Sequence, residues 1–261
     1  MGDKPPQLKK VRLDLLLVER GLASSRERAR ALILAGAVRV DGQPVTKAGT
    51  AVAPDAELSL DTPDHPYVGR GGLKLAHALE TFGLDVSGRI ALDIGASTGG
   101  FTDVLLQRGA TRVAAVDVGH NQLDWKIRSD PRVHVMEGVN ARGLQPADLP
   151  PDLRQFDIVS IDVSFISLRH VLPVVPVLLA PEGDVVALIK PQFESRREEV
   201  GKGGIVRDQA VQARVVDEVV AAADTLGLVR AGIVESPITG MEGNREFLVW
   251  FRREPARTDE R

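Results

Sequence analysis

Cysteine is absent from this 261-residue chain, which excludes disulfides, cysteine-ligated zinc, iron–sulfur clusters and a cysteine nucleophile. Aromatic residues are scarce at 4 %, so recognition of a ligand by many stacked rings is not expected. No run approaches the roughly 18 apolar residues of a transmembrane helix, and the polar segment Met1–Lys10 lacks the apolar core of a signal peptide. We therefore expect a cytoplasmic protein that does not enter a membrane.

The overall composition, 43 % apolar and 26 % charged, is that of an ordinary globular protein, but the charge is uneven. Residues 1–50 carry ten Lys or Arg and five Asp or Glu, a net charge of +5, while the remaining residues carry a net charge of −8. A basic segment before an acidic body is typical of a nucleic-acid-binding module. A solvated surface that is simply basic would give the same numbers.

The basic part of the chain is predicted to fold into a small α+β module. The apolar segment Val11–Leu22 and the segment Ser25–Ala35 are each predicted to be a helix ended by glycine. A short strand then precedes Asp41-Gly42, which is a hairpin-turn signal. We place a first domain at residues 8–62, and a linker with the start of a second domain at residues 63–85.

Strands alternate with helices in the rest of the chain. This pattern predicts an α/β fold with a doubly wound, Rossmann-like sheet whose last two strands, joined only by a loop, are antiparallel. We place the second domain at residues 86–252 and a disordered tail at residues 253–261. The strands are predicted at residues 90–94, 113–118, 133–136, 156–163, 185–189, 229–234 and 246–251, with a long amphipathic helix at residues 209–226.

A glycine-rich turn follows the first strand of this domain, where open α/β sheets bind ligands. It reads Asp93-Ile94-Gly95-Ala96-Ser97-Thr98-Gly99-Gly100-Phe101. The spacing is neither that of a dinucleotide fingerprint nor that of a phosphate-binding loop. Asp117 ends the second strand, and its carboxylate could accept hydrogen bonds from two ribose hydroxyls. The turn and the acid together fit S-adenosylmethionine, with a dinucleotide-binding dehydrogenase and a plain structural turn as alternatives.

Further candidate contacts follow the next strands. Val118 follows Asp117, and Gly138-Val139-Asn140 follows the third strand, where an adenine edge would be recognised and where a surface turn is an equal explanation. Asp162 ends the fourth strand and Lys190 follows the fifth. A lysine after a buried strand is costly unless it has a partner, and Asp162 is the natural counter-ion. A purely structural ion pair is the alternative.

The segment after Asp162 argues against two other reactions. Enzymes that methylate the amino groups of bases usually carry Asn/Asp-Pro-Pro-aromatic at this place, whereas this chain has Asp162-Val163-Ser164-Phe165 without proline. Because cysteine is absent, the covalent route to methylation of a cytosine carbon is also excluded.

The order of these motifs resembles the TlyA family, often labelled haemolysin A, in which a small RNA-binding domain of the S4 type precedes an FtsJ-like ribose methyltransferase domain. The resemblance covers roughly residues 8–252. In the first domain it rests on Arg12-Leu13-Asp14 and on Gly36-Ala37-Val38-Arg39-Val40-Asp41-Gly42. In the second domain it rests on the glycine turn and on Gly69-Arg70-Gly71-Gly72-Leu73-Lys74-Leu75, Ile161-Asp162-Val163-Ser164-Phe165-Ile166-Ser167, Ile189-Lys190-Pro191-Gln192-Phe193-Glu194 and Gly201-Lys202-Gly203-Gly204.

This resemblance implies S-adenosylmethionine-dependent 2′-O-methylation of ribose, usually of cytidine, in the ribosomal RNA of the small or large subunit. Ribose methyltransferases of this type use a Lys-Asp-Lys-Glu tetrad, which maps onto Lys74, Asp162, Lys190 and Glu246. As an ammonium, Lys190 would stabilise the developing alkoxide, and as a neutral amine it would accept the proton. No metal is expected, because the leaving group already carries a positive sulfur.

Basic residues of both domains are candidate contacts to RNA phosphates. They are Arg12, Arg26, Arg30 and Arg39 in the first domain and Arg70, Lys126, Arg128 and Arg132 in the second. A solvated helix face explains the last three equally well. Phosphate contacts position a protein without reading sequence, so we expect the shape of the RNA or of the ribosomal subunit to select the nucleotide.

Two other functions are compatible with parts of the resemblance. A membrane-lytic haemolysin would need an export signal or a long apolar or amphipathic cationic segment, and none is present. A non-catalytic RNA-binding assembly factor would not need the glycine turn and the tetrad, both of which are intact.

Overall fold

The computed structural model describes residues 10–23, 25–34, 36–60, 65–240 and 243–253. The chain divides into two compact units, Met1–Pro66 and Tyr67–Arg261. Residues 63 and 64 of the predicted linker and residues 254–261 of the predicted tail lie outside the described residues, whereas Arg253, the first residue of that tail, ends the last described strand. No helix among the described residues is long and apolar enough to cross a membrane.

The first unit is a small α+β fold. Its elements are β1 (Val11–Arg12), α1 (Leu13–Glu19), α2 (Arg26–Leu34), β2 (Val38–Val40), β3 (Gln43–Pro44), β4 (Ala51–Val52) and β5 (Leu58–Leu60). Strands β1 and β4 form an antiparallel pair, and β3, β2 and β5 form an antiparallel sheet in that order. Asp41 and Gly42 both have positive φ angles, 50° and 76°, as a tight two-residue hairpin turn requires. The two helices pack on the sheets through a core that includes Leu13, Leu17 and Ile33.

The predicted helix at Val11–Leu22 is too long at both ends. Val11 and Arg12 pair with Val52 and Ala51 instead, so the helix begins only at Leu13. It ends at Glu19, because Gly21 adopts a left-handed conformation with a φ of 70°. A two-residue strand has too few residues to show a period-two pattern, which is why apolar content alone favoured a helix.

The second unit is an α/β fold around one seven-stranded sheet, which confirms the predicted fold class. Its elements are α3 (Gly71–Phe82), β6 (Ile90–Ile94), α4 (Gly100–Gln107), β7 (Arg112–Asp117), α5 (Trp125–Arg128), β8 (Val133–Glu137), β9 (Phe156–Ile161), α6 (Val175–Leu178), β10 (Leu179–Ile189), α7 (Pro191–Glu194), α8 (Gln209–Asp224), β11 (Leu228–Glu235) and β12 (Phe247–Arg253). Short 3-10 turns lie at Ala141–Gly143, Pro146–Asp148, Pro151–Leu153, Leu168–His170, Leu172–Val174 and Arg197–Glu199.

The strand order is β11-β12-β10-β9-β6-β7-β8. Strands β6 to β10 are parallel to one another, while β12 is antiparallel to both β10 and β11, as predicted for the last pair. Apolar side chains cover both faces of the sheet, which is why its strands read as nearly continuous apolar runs. Strand β6 has β7 and then β8 on one side, whereas the next strand along the chain, β9, lies on its other side. A ligand crevice is expected at the carboxyl ends of the strands where the strand order switches in this way.

Candidate active site

A cavity of about 440 Å³ opens at the carboxyl ends of β6, β7 and β9. Half of the fourteen predicted cofactor-binding residues line it: Gly95, Ser97, Asp117, Val118, Val139, Asn140 and Asp162. Arg142 and residues 163–166 complete much of the remaining wall. The volume is within the range of ordinary small-molecule sites, about 300–1,000 Å³.

Gly95 lets the glycine turn approach the next strand closely. Its φ is +85°, and a Cβ at this position would run into the backbone carbonyl of Asp162. Ser97, two residues later, also has a positive φ, 47°. Only glycine fits at position 95, since both the backbone angle and the available space exclude a side chain.

Asp117 ties the glycine turn to the end of β7. Its Oδ2 accepts a hydrogen bond from the backbone N–H of Ser97 at 2.8 Å, and its Oδ1 accepts one from the N–H of Gly119 at 2.7 Å. A carboxylate offers about four acceptor positions, so two are left on the cavity side for the hydroxyls of a ribose.

Asp93 does not line the cavity, so the structure gives no support to its predicted contact with a cofactor. Its side chain is completely buried and accepts hydrogen bonds from Thr102 Oγ1 at 2.6 Å and Ser160 Oγ at 2.9 Å. Burial, opposed by these two hydrogen bonds, raises the pKa of Asp93 to about 6. The carboxyl group therefore joins α4 and β9 to the end of β6.

The other predicted turn residues do not line the cavity. They are Ala96, Thr98, Gly99, Gly100 and Phe101. A Cβ on Gly100 would lie 2.9 Å from the backbone nitrogen of Gly72 and 3.2 Å from the carbonyl oxygen of Gly69, so the two glycine motifs pack directly together. Gly138 also lies outside the lining, since the imidazole of His120 covers it.

Asn140 lies on the cavity wall but is partly engaged by its own loop. Its Oδ1 accepts hydrogen bonds from the backbone N–H of Arg142 at 3.1 Å and from Arg142 Nε at 3.3 Å. The side chain thus caps the 3-10 turn Ala141–Gly143. Any contact from Asn140 to an adenine would therefore have to come from the opposite edge of its amide.

Three of the four predicted tetrad residues, Lys74, Lys190 and Glu246, are buried, Asp162 is partly buried, and the four form two ion pairs. Lys190 Nζ lies 2.6 Å from Asp162 Oδ1, and Lys74 Nζ lies 2.5 Å from Glu246 Oε2. A side chain at Gly71 would contact Asp162 Oδ2, so the first turn of α3, which carries Lys74, lies beside Asp162. The structure thus brings together four residues that are up to 172 positions apart in the chain.

Two residues of this site received no role from sequence reasoning. Ser164 Oγ lies 2.9 Å from Lys190 Nζ, so the lysine has a second polar partner. Phe165 is 92 % exposed, has a φ of +63°, and its ring centroid lies 5.2 Å from that of Phe193. Both residues belong to a motif that carried the family resemblance. Their position two and three residues after Asp162 was the feature of the sequence that could have placed them in the site.

The basic residues of the first unit differ in the hydrogen bonds that their guanidinium groups make within the protein. Arg12 donates from two nitrogens to the buried carboxylate of Asp14 at 2.9 Å, and Arg26 Nε donates to the same carboxylate at 3.0 Å. These two guanidinium groups hold the pKa of Asp14 well below its usual range. Arg30 is exposed, and Arg39 donates to the carbonyl of Gly42 at 3.4 Å.

In the second unit, most of the predicted RNA contacts are held by carboxylates. Arg132 forms an ion pair with Asp130 at 2.7 Å and also donates to the carbonyls of Leu106 and Ala110, so it braces the end of α4. These contacts give Arg132 a structural role and argue against its predicted contact with RNA. Arg128 pairs with Glu137 at 2.6 Å and Lys126 pairs with Asp103 at 3.3 Å, while Arg70 is exposed.

The second unit is a doubly wound α/β domain with a ligand cavity at the carboxyl ends of its central strands. An S-adenosylmethionine-dependent methyltransferase from Mesorhizobium loti shares this fold, with a TM-score of 0.54 at 16 % identity over 71 % of this chain and all of that one. At this level of identity the likeness concerns the fold alone.

The family is more specific. The FtsJ-like methyltransferase family matches residues 67–253, and the S4 domain matches residues 11–58. The chain therefore belongs to the FtsJ-like methyltransferases and carries an S4 domain, which confirms the predicted resemblance.

Several relatives match nearly the whole chain. YqxC of Bacillus subtilis (strain 168), named as an rRNA methyltransferase, is 51 % identical over 92 % of this chain and 85 % of its own length. The 16S/23S rRNA (cytidine-2′-O)-methyltransferase TlyA of Mycobacterium tuberculosis (strain H37Rv) is 47 % identical over 95 % of this chain and 92 % of its own. A solved structure from Streptococcus thermophilus, named as a hemolysin, is 45 % identical with a TM-score of 0.74 over 95 % of this chain and 90 % of that one.

Proposed function

We propose that this protein transfers a methyl group from S-adenosylmethionine to the 2′-hydroxyl of a ribose in ribosomal RNA, with cytidine as the target nucleoside. The observation that carries the proposal is the partly buried Lys190–Asp162 ion pair beside the cavity, with the buried Lys74–Glu246 pair next to it. A ribose hydroxyl is a poor nucleophile until its proton is lost, and a fixed cation stabilises the alkoxide that develops.

The residues of the cavity suit S-adenosylmethionine. Asp117 offers its free acceptor positions to the ribose hydroxyls, and Gly95 leaves room for the methionyl end against the backbone. Val139 and Asn140 line the side where the adenine would lie. When bound, the cofactor supplies a methyl group on a positively charged sulfur.

Lys190 is assigned the role of electrostatic stabiliser. An ammonium group has three N–H donors. The hydroxyl of Ser164 accepts one of them, and the carboxylate of Asp162 forms an ion pair with the same group at 2.6 Å. A further N–H is then available for the 2′-oxygen of the substrate. An ammonium group cannot accept a further proton, so in this role of Lys190 the hydroxyl proton passes to solvent.

The first unit supplies affinity for RNA in this proposal. Asp14 fixes the orientation of the Arg12 and Arg26 side chains by accepting hydrogen bonds from each. About half of each arginine side chain stays exposed, so further N–H groups are accessible. Arg30 and Arg39 extend the basic surface. Such contacts position the protein on the phosphate backbone, and the shape of the ribosomal subunit selects the nucleotide. We expect the protein to act in the cytoplasm, where ribosomal subunits are present.

The test is the transfer of labelled methyl groups from S-adenosylmethionine to purified ribosomal subunits and to naked ribosomal RNA. We expect incorporation by the wild type at one nucleotide whose 3′ linkage becomes resistant to alkaline cleavage. Lys190→Ala should lower the rate at least 100-fold, about 2.7 kcal/mol of transition-state stabilisation, and retain cofactor binding. Cofactor binding without methyl transfer to any RNA would instead favour a non-catalytic assembly factor.

A further inference from the structure

A buried carboxylate next to the tetrad has no part in the proposed chemistry. Glu194 is only 5 % exposed. It accepts hydrogen bonds from Ser167 Oγ at 2.5 Å and from the backbone N–H of Leu168 at 2.7 Å, and Arg169 Nε lies 3.6 Å away. A buried carboxylate with this many hydrogen-bond and ion-pair partners holds the groups that donate to it in a defined position.

Glu194 and Lys190 hold the two ends of one loop. We call residues 162–168, which follow β9, the acceptor loop. Lys190 meets the start of this loop at Asp162 and Ser164, and Glu194 meets its end at Ser167 and Leu168. Because Lys190 and Glu194 are separated only by the single turn of α7, one short rigid segment fastens both ends of the acceptor loop.

The middle of the acceptor loop is in a conformation that needs such fastening. Phe165 has a left-handed backbone, with a φ of +63°, which is disfavoured for residues with a side chain. Its ring is almost fully exposed and is supported by Phe193, which belongs to α7. Strained conformations of this kind persist only where the surroundings fix them from several directions.

We propose that Glu194 is a positioning residue for methyl transfer. It fixes the acceptor loop so that Asp162 and Ser164 stay on the Lys190 ammonium and Phe165 stays presented beside it. The kinetic part of this inference rests on the function proposed above. Its structural part, that Glu194 holds the loop, stands apart from that function.

The kinetic test compares three variants at saturating S-adenosylmethionine. Glu194→Ala should lower kcat about 30-fold, because the Ser167 hydroxyl and the Leu168 amide both lose their hydrogen-bond acceptor. Glu194→Gln should stay within about threefold, since the amide oxygen can accept from Leu168 while the Ser167 hydroxyl turns to accept from the amide nitrogen. Glu218→Gln is the matched control, because Glu218 is the other carboxylate on Arg169, at 3.4 Å, and it should leave kcat unchanged.

Two kinetic results would overturn the proposal. One is a wild-type kcat in Glu194→Ala. The other is an equal loss in Glu194→Ala and Glu218→Gln, which would trace the effect to Arg169 and not to the loop. If Glu194→Ala does not fold, Ser167→Ala removes one donor without stranding the carboxylate, and a smaller loss of kcat in the same direction is expected.

Hydrogen exchange tests the anchoring without any RNA. In Glu194→Ala, peptides that cover the acceptor loop should exchange at least tenfold faster, led by the Leu168 amide, while Glu194→Gln and Glu218→Gln stay close to the wild type. Unchanged exchange in Glu194→Ala would refute the anchoring even if activity fell. If the wild type methylates no RNA, the proposed function fails, and this exchange measurement still decides whether Glu194 holds the loop.

Discussion

The buried carboxyl group of Asp93 makes the free energy of unfolding of the second unit fall as the pH rises toward neutrality. Desolvation raises its pKa from 3.8 in water to about 6 in the folded protein. Between these two values the folded state keeps a proton that the unfolded chain has released. Stability therefore falls by about 1.4 kcal/mol per pH unit, or about 3 kcal/mol in all, and this loss is complete by about pH 7.

Asp93→Asn isolates this contribution, since the amide keeps the size of the side chain and can still bond to Thr102 and Ser160 but does not ionise. The measurement is urea unfolding at a series of pH values from 4 to 7.5, followed by tryptophan fluorescence. Both tryptophans, Trp125 and Trp250, lie in the second unit, so the signal reports that unit alone. The unfolding free energy of the variant minus that of the wild type should rise by about 2.4 kcal/mol between pH 4 and pH 7. A difference that does not change with pH would refute the reasoning.

Three further predictions concern the cavity and the RNA-binding surface. Gly95→Ala should weaken S-adenosylmethionine binding at least tenfold in calorimetry, because the methyl group meets the carbonyl of Asp162 and the positive φ is strained; unchanged affinity would show that the turn can shift. Asp117→Ala should have an effect of similar size, through loss of the ribose acceptors and of the bond to the turn, and an unaffected Kd would remove Asp117 from the site. Arg30→Ala should lower RNA affinity and reduce the slope of log affinity against log salt concentration by about one. Arg132→Ala should leave this slope unchanged and lower the free energy of unfolding by about 1 kcal/mol. The reverse pattern would identify Arg132 as an RNA contact.

The sequence was most informative where function depends on the order and direction of strands. Asp162 and Lys190 could be paired in advance, because each follows a buried strand and these strands lie side by side in parallel. The pairing of Lys74 with Glu246 needed the family resemblance, since no local pattern connects residues so far apart.

Side-chain direction was beyond the reach of the sequence. Asp93 belongs to the cofactor motif by position, yet it points into the interior, where Thr102 and Ser160 complete its hydrogen bonds. Arg132 looks like a free surface charge until the fold brings the carbonyls of Leu106 and Ala110 to it. In both cases the partners come from other elements, and tertiary packing decides what the side chain does.

The position of β12 has a consequence for how the protein is made. This strand is the last described element of the chain, yet it lies inside the sheet, between β10 and β11. During synthesis from the N-terminus, β10 and β11 each present an unpaired edge until residues 247–253 leave the ribosome. Glu246, which directly precedes β12, also arrives only then. A nascent chain can therefore complete its first unit early, but it cannot assemble the tetrad, and so cannot modify RNA by this route, until synthesis has passed the final strand.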